Sequence, residues 1–168
     1  QAGLAKIEIL NNDVPVSTGY LIVGGVTPGV FTISATGKGQ AVAINQDFSL
    51  NGDPAQNPMA KPEARGRVVT FFANGPGGQF TNPANGQALT PTSGAATPAN
   101  PIHATQTTPI VTIGGVAATV AFSGLTPGFV GLWQLNVIVP ATAPVGNAVP
   151  VVIKLNRRTT NLTSIAVN

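Results

Sequence analysis

The sequence predicts an all-β protein, a sandwich of two antiparallel or mixed sheets, and three observations predict it. Helical periodicity is missing throughout. The 20 Gly and 15 Pro punctuate the 168 residues at the intervals expected of short strands joined by turns. Apolar residues alternate with period two, most clearly in residues 111–141, VTIGGVAATVAFSGLTPGFVGLWQLNVIVPA, where β-branched segments are broken by a Gly-Gly turn and a Thr-Pro-Gly turn. Many short strands in a chain of this length suit one domain of two packed sheets.

The first strand is expected at residues 4–10, LAKIEIL, where Ala5, Ile7 and Ile9 fall on one face and Lys6 and Glu8 on the other. Asn11-Asn12-Asp13 follows as a polar hinge, so the chain divides into residues 1–12, a strand with its hinge, and residues 13–168, the sandwich. Strands at 19–23 and 30–34 flank Thr27-Pro28-Gly29, a turn set by proline's fixed φ and glycine's freedom at positive φ. Strands at 41–45 and 68–73 come next. Residues 74–108 are rich in Gly, Pro, Asn, Ala and Thr, with Phe80, Leu89 and Ile102 as their sizeable apolar anchors. A loop this long is unusual in a compact domain, and these anchors point to an ordered cover over one sheet. Strands at 110–113 and 118–122 flank Gly114-Gly115. In the strand at 130–139, Trp133, Leu135, Val137 and Val139 share one face, which places the tryptophan in the core rather than on a sugar-stacking surface. Strands at 148–155 and 162–167 flank Asn156-Arg157-Arg158, a hairpin tip carrying two guanidinium groups. The Gly-Gly-Val and Thr-Pro-Gly runs each occur twice, near residues 24–30 and 114–129, an echo that turn chemistry alone suffices to produce, with an internal duplication the alternative.

Composition excludes several function classes. Cysteine is absent, so disulfides and thiolate metal sites are impossible. No apolar run approaches the ~20 residues of a membrane helix. Eight basic and five acidic residues, net +3, are too sparse for a phosphate-tracking surface, so nucleic acid is not an expected partner. Charged residues are 8% of the chain, against about 25% in ordinary soluble domains. Such a surface lacks the repulsion that keeps copies apart. Gln1-Ala2-Gly3 matches the mature end left by signal-peptide removal, as an excised segment also would.

Candidate chemistry is thin. His103 is the single histidine and no acid lies near it in sequence, so it reads as a solvated loop residue rather than a catalytic base, and no enzyme activity is expected. Asp47, Ser49, Asn51 and Asp53 place oxygen donors at alternate positions with Gly52 at a turn, partly matching a calcium loop; the acidic twelfth position is Pro58. A turn whose side chains bond their own backbone explains the same residues, so no cofactor is expected, with calcium the alternative. Lys154, Arg157 and Arg158 form a small basic cluster suited to a salt bridge or an acidic polysaccharide. Asn161-Leu162-Thr163 is a glycosylation sequon.

Pro28-Gly29-Val30-Phe31, the run from Gly39 through Asp47 (GQAVAINQD), Gly114-Gly115-Val116 and Pro127-Gly128-Phe129-Val130-Gly131-Leu132-Trp133-Gln134-Leu135-Asn136-Val137 resemble a C-terminal domain found on secreted proteins of acidobacterial, Solibacter-type genomes. The likeness runs over residues 25–167, and residues 111–140 are also similar to Ig-like IPT/TIG modules. The resemblance implies an extracellular, Ig-like β-sandwich with no established activity. Family members sit at the end of much larger proteins, whereas this chain reads as a free-standing unit with one extra strand.

Together these readings predict a secreted structural protein, a subunit of a self-assembling filament, sheath or matrix. Its partner would be itself: Leu4, Ala5, Ile7, Ile9 and Leu10 would pair with the open sheet edge of the next copy by strand donation. The alternative is a monomeric carbohydrate-binding or adhesion module that meets polysaccharide through residues 74–108.

Overall fold

The computed structural model describes residues 3–168 and is all-β, with no helix among them. Its strands in chain order are β1 (Gly3–Asn11), β2 (Val14–Val23), β3 (Gly29–Val30), β4 (Gly39–Gln40), β5 (Ala43–Asn45) and β6 (Leu50–Asn51). Then come β7 (Ala60–Lys61), β8 (Val68–Asn74), β9 (Phe80–Thr81), β10 (Ala88–Leu89), β11 (Ala104–Thr105) and β12 (Ile110–Ile113). The chain closes with β13 (Val116–Leu125), β14 (Trp133–Ile138), β15 (Gly146–Leu155), β16 (Arg158–Thr159) and β17 (Thr163–Val167).

Two ladders face each other and β13 belongs to both. Its first residues, Val116–Ala118, pair with β12, which passes the ladder to β15, β17 and, in parallel, β4. From Thr119 onward β13 pairs with β14, which leads to β8, β5, β6 and β7. The change of partner is accompanied by a register shift between Val120 and Phe122, the local bend a bulge supplies.

Period-two alternation then fills the space between the ladders. Val69, Phe71 and Ala73 of β8, Trp133, Leu135 and Val137 of β14, Val111 and Ile113 of β12, Val151, Ile153 and Leu155 of β15, and Ile165 and Val167 of β17 form one buried cluster. Each large member contributes about 1.5–3 kcal/mol by leaving water. The indole of Trp133 is fully buried and its Nε1 donates to the Ser123 hydroxyl at 2.9 Å, so the polar end of the ring is satisfied.

Residues 74–108 are an ordered cover, as expected. Phe80 is buried, β9 pairs with β10 and β11, and β11 pairs with β13. The cover crosses β13 at Gly124, where a Cβ would lie 2.3 Å from the carbonyl oxygen of His103, so only glycine admits the crossing.

Strand ends differ from expectation where turn residues decide. The strand expected from Val130 begins at Trp133, because Gly128 and Gly131 take positive φ (81° and 65°) and hold the intervening chain in a turn. The repeated Gly-Gly-Val run adopts two conformations. Gly114 and Gly115, at φ 61° and 81°, turn the β12–β13 hairpin, whereas Gly24 and Gly25 lie in a linker outside the left-handed region.

Candidate functional site

The structure changes the N-terminal element from a strand into a hairpin. β1 pairs antiparallel with β2 over Gly3–Asn11, and the two strands form a sheet of their own. Asn11-Asn12-Asp13 is its turn rather than a hinge, so the boundary expected after residue 12 falls inside the hairpin and the linker to the body lies at residues 24–28. Asn12 and Asp13 sit at φ 49° and 62°, the paired left-handed geometry of a two-residue hairpin turn, which these side chains tolerate better than most. Opposite Ile9 and Leu10 the register skips Val16, and this irregularity accommodates Pro15, which has no N–H to give.

The faces of the hairpin follow from its register. Ala5, Ile7 and Ile9 stand across from Leu21, Gly19 and Ser17, while Lys6 and Glu8 stand across from Tyr20 and Thr18. Lys6 Nζ and Glu8 Oε1 pair at 2.7 Å on the second face. Neither face is covered by the body: Leu4, Ile7, Ile9 and Leu10 remain 70%, 47%, 59% and 53% exposed, and only Ala5 is half-buried. The expected interface residues are therefore together on one projecting arm, which joins the body where Thr27 N donates to Gly75 O at 3.0 Å.

At the root of the arm lies an open groove of about 820 Å³. The linker, residues 76–79, residues 105–107 and the tip of the β15–β16 hairpin surround it. The expected basic tip is real: Asn156 and Arg157 form its two-residue turn at φ 47° and 67°, and Arg158 stands across from Leu155.

The four calcium candidates have separate duties. Asp47 accepts from the Ser49 hydroxyl at 2.6 Å and from Lys61, and these two partners hold its carboxyl well below the usual carboxylate range, Lys61 most strongly. Asn51 is fully buried: its Nδ2 donates to Asn45 Oδ1 and Ala166 O, both at 2.9 Å, and its Oδ1 accepts from Ala166 N at 2.8 Å. Asp53 accepts from Ala55 N at 2.9 Å. Asp47 and Asp53 thus cap turns, while Asn51 ties β6 to β17.

His103 is buried rather than solvated, because the cover packs it against Phe80 with ring centroids 6.3 Å apart. Its Nδ1 lies 3.1 Å from Pro101 O, and no carboxylate partners it. Asn161 of the sequon is committed inside the fold: its Oδ1 accepts from Val30 N at 2.7 Å and its Nδ2 donates to Val30 O and Gly37 O at 3.0 and 2.8 Å.

Sequence reasoning missed Glu63, a buried carboxylate that accepts from Gln46 N at 2.6 Å and Ala64 N at 2.9 Å and pairs with Arg67 Nε at 3.3 Å. The Glu63–Arg67 spacing was a signal available in the chain. No protein-family model matches this sequence, and neither a curated protein nor a solved structure does.

Proposed function

We propose that this chain is a secreted Ig-like subunit of a self-assembling filament, sheath or matrix, joined to the next copy by donation of the arm at residues 3–23. The observation that carries the reading is the exposed apolar surface of that arm. An isolated two-stranded hairpin is marginal in water, and a third strand or a covering sheet makes it stable. The outer edge of β1 carries free N–H and C=O groups that a neighbour's edge strand can pair with, while Ala5, Ile7 and Ile9 pack on the neighbour.

Burying the two isoleucines yields about 3–6 kcal/mol before ordering costs. Because arm and acceptor are different surfaces, the contact is heterologous and propagates into a filament unless its rotation closes a ring. A chain with 8% charged residues offers little repulsion against such packing. Secretion rests on the resemblance to acidobacterial exported domains.

Negative-stain electron microscopy of the full chain beside a version lacking residues 1–23 tests this. Filaments from the full chain and dispersed particles from the shortened one are expected. Dispersed particles from both overturn the proposal.

A further inference from the structure

The groove at the root of the arm has a second use, independent of assembly. We propose that it binds an acidic polysaccharide, with Arg158 pairing a carboxylate or sulfate of the glycan while amides and hydroxyls along the groove take its sugar hydroxyls.

Arg158 is the cation of the groove, and the hairpin register explains why. It stands across from Leu155, whose side chain is buried in the core, so its guanidinium is directed to the same side, over the end of the sandwich. The ion pairs among the described residues are Lys6–Glu8, Lys61–Asp47 and Arg67–Glu63. Arg158 has no carboxylate of its own. Among the described residues Lys154 and Arg157 are likewise unpaired, so three free cations fall within residues 154–158 of a chain whose net charge is +3. An anion entering the groove meets this field and a planar, two-pronged donor that matches carboxylate and sulfate oxygens.

The turn that presents these groups is held against local preference. Arg157 occupies a left-handed position at φ 67°, where glycine is the low-strain residue of such a hairpin. A bulky residue there costs stability, and the turn it forms sets Arg158 across from Leu155 at the groove.

The rest of the lining selects the ligand class. Gln79, Gln106, Asn156 and Thr107 provide amide and hydroxyl groups, interspersed with the backbone of several glycines, while the Thr105 hydroxyl donates inward to Ser123. No aromatic ring lines the groove, so there is no platform for stacked bases, and one cation inside it is too few to track a phosphate backbone. A hydroxyl-rich chain with spaced negative charge fits both features.

The test is retention of the full chain on immobilised polygalacturonate, heparin, neutral dextran and single-stranded DNA, with Arg158→Gln and Lys38→Gln compared under one salt concentration. Lys38 is an exposed cation remote in sequence from the groove and serves as the control for unspecific charge. Binding to polygalacturonate or heparin, but not to dextran, is expected, and the stronger of the two identifies carboxylate or sulfate as the anion. Arg158→Gln should weaken that binding at least tenfold, with an unchanged thermal transition, and Lys38→Gln less than twofold. Equal losses for both variants, unaltered binding by Arg158→Gln, equal retention on dextran, or stronger retention on single-stranded DNA would each overturn the proposal.

Discussion

The residue that does most for the fold per atom is Asn51. Its side-chain amide replaces a backbone ladder, bonding both the N–H and the C=O of Ala166 in β17 and Asn45 Oδ1 besides. Buried polar groups left without partners cost about 1–3 kcal/mol each, more than the hydrogen bond itself contributes. Asn51→Ala strands several at once and should lower stability by about 3 kcal/mol, read as a drop in the urea midpoint at unchanged slope. A loss below about 1 kcal/mol would mean that water enters and replaces the amide. Sequence could not disclose this role. Asn51 sits in the run DFSLNGD, whose polar side chains all look suited to a turn, and its partner lies 115 residues away. In the same run the alternation of oxygen donors suits a turn or a calcium loop, and strand pairing at β6 turns Asn51 inward while Asp47 turns outward to Lys61.

At the scale of elements, the strands inside the sandwich were legible and the arm was legible by half. Residues 68–73 and 133–138 alternate cleanly because one face of each is buried; β8 appears where the pattern puts it, and β14 lies within the expected 130–139 but starts three residues late. β1 was visible because its apolar and charged residues also alternate, although both of its faces are exposed in the arm. β2 was read only from Gly19 because Pro15 interrupts the apolar alternation of Val14 and Val16, and a proline ordinarily ends a strand. The bulge that absorbs it cannot be read from one strand alone. The many two-residue strands, such as β9, β10 and β11, were illegible because they are made by tertiary pairing under the cover rather than by local preference. Since the arm's ladder is exposed on both faces, its amides should open locally at little cost. In dilute, dispersed protein, hydrogen exchange in residues 4–10 and 17–23 should be much faster than in β14. In assembled material the same amides should become protected, and persistent fast exchange there would remove the arm from the contact.

For the whole molecule, the decisive feature is that one end of the chain closes the sandwich while the other stands outside it. β17 buries Ile165, Ala166 and Val167, pairs with β15 and β4, and is held from the side by Asn51 and by Glu63, whose N–H donates to Ala166 O at 3.0 Å and whose C=O accepts from Asn168 N at 3.0 Å. Asn161 adds a link of 131 residues to Val30. The last strand is thus tied into the body by β4, β15, Asn51 and Glu63, and the arm takes no part in that closure. Two changes of opposite kind separate these roles. Removing residues 1–23 deletes about one seventh of the chain yet should leave the thermal midpoint of the dispersed protein within about 2 °C, because no core residue is lost. Ile165→Ala removes three carbons from a fully buried site and should cost about 2–5 kcal/mol, with a correspondingly large fall in midpoint. Calorimetry under non-assembling conditions measures both. A large fall on deleting the arm would show that the body depends on it, and the arm could not then be released to a neighbour without unfolding its own subunit.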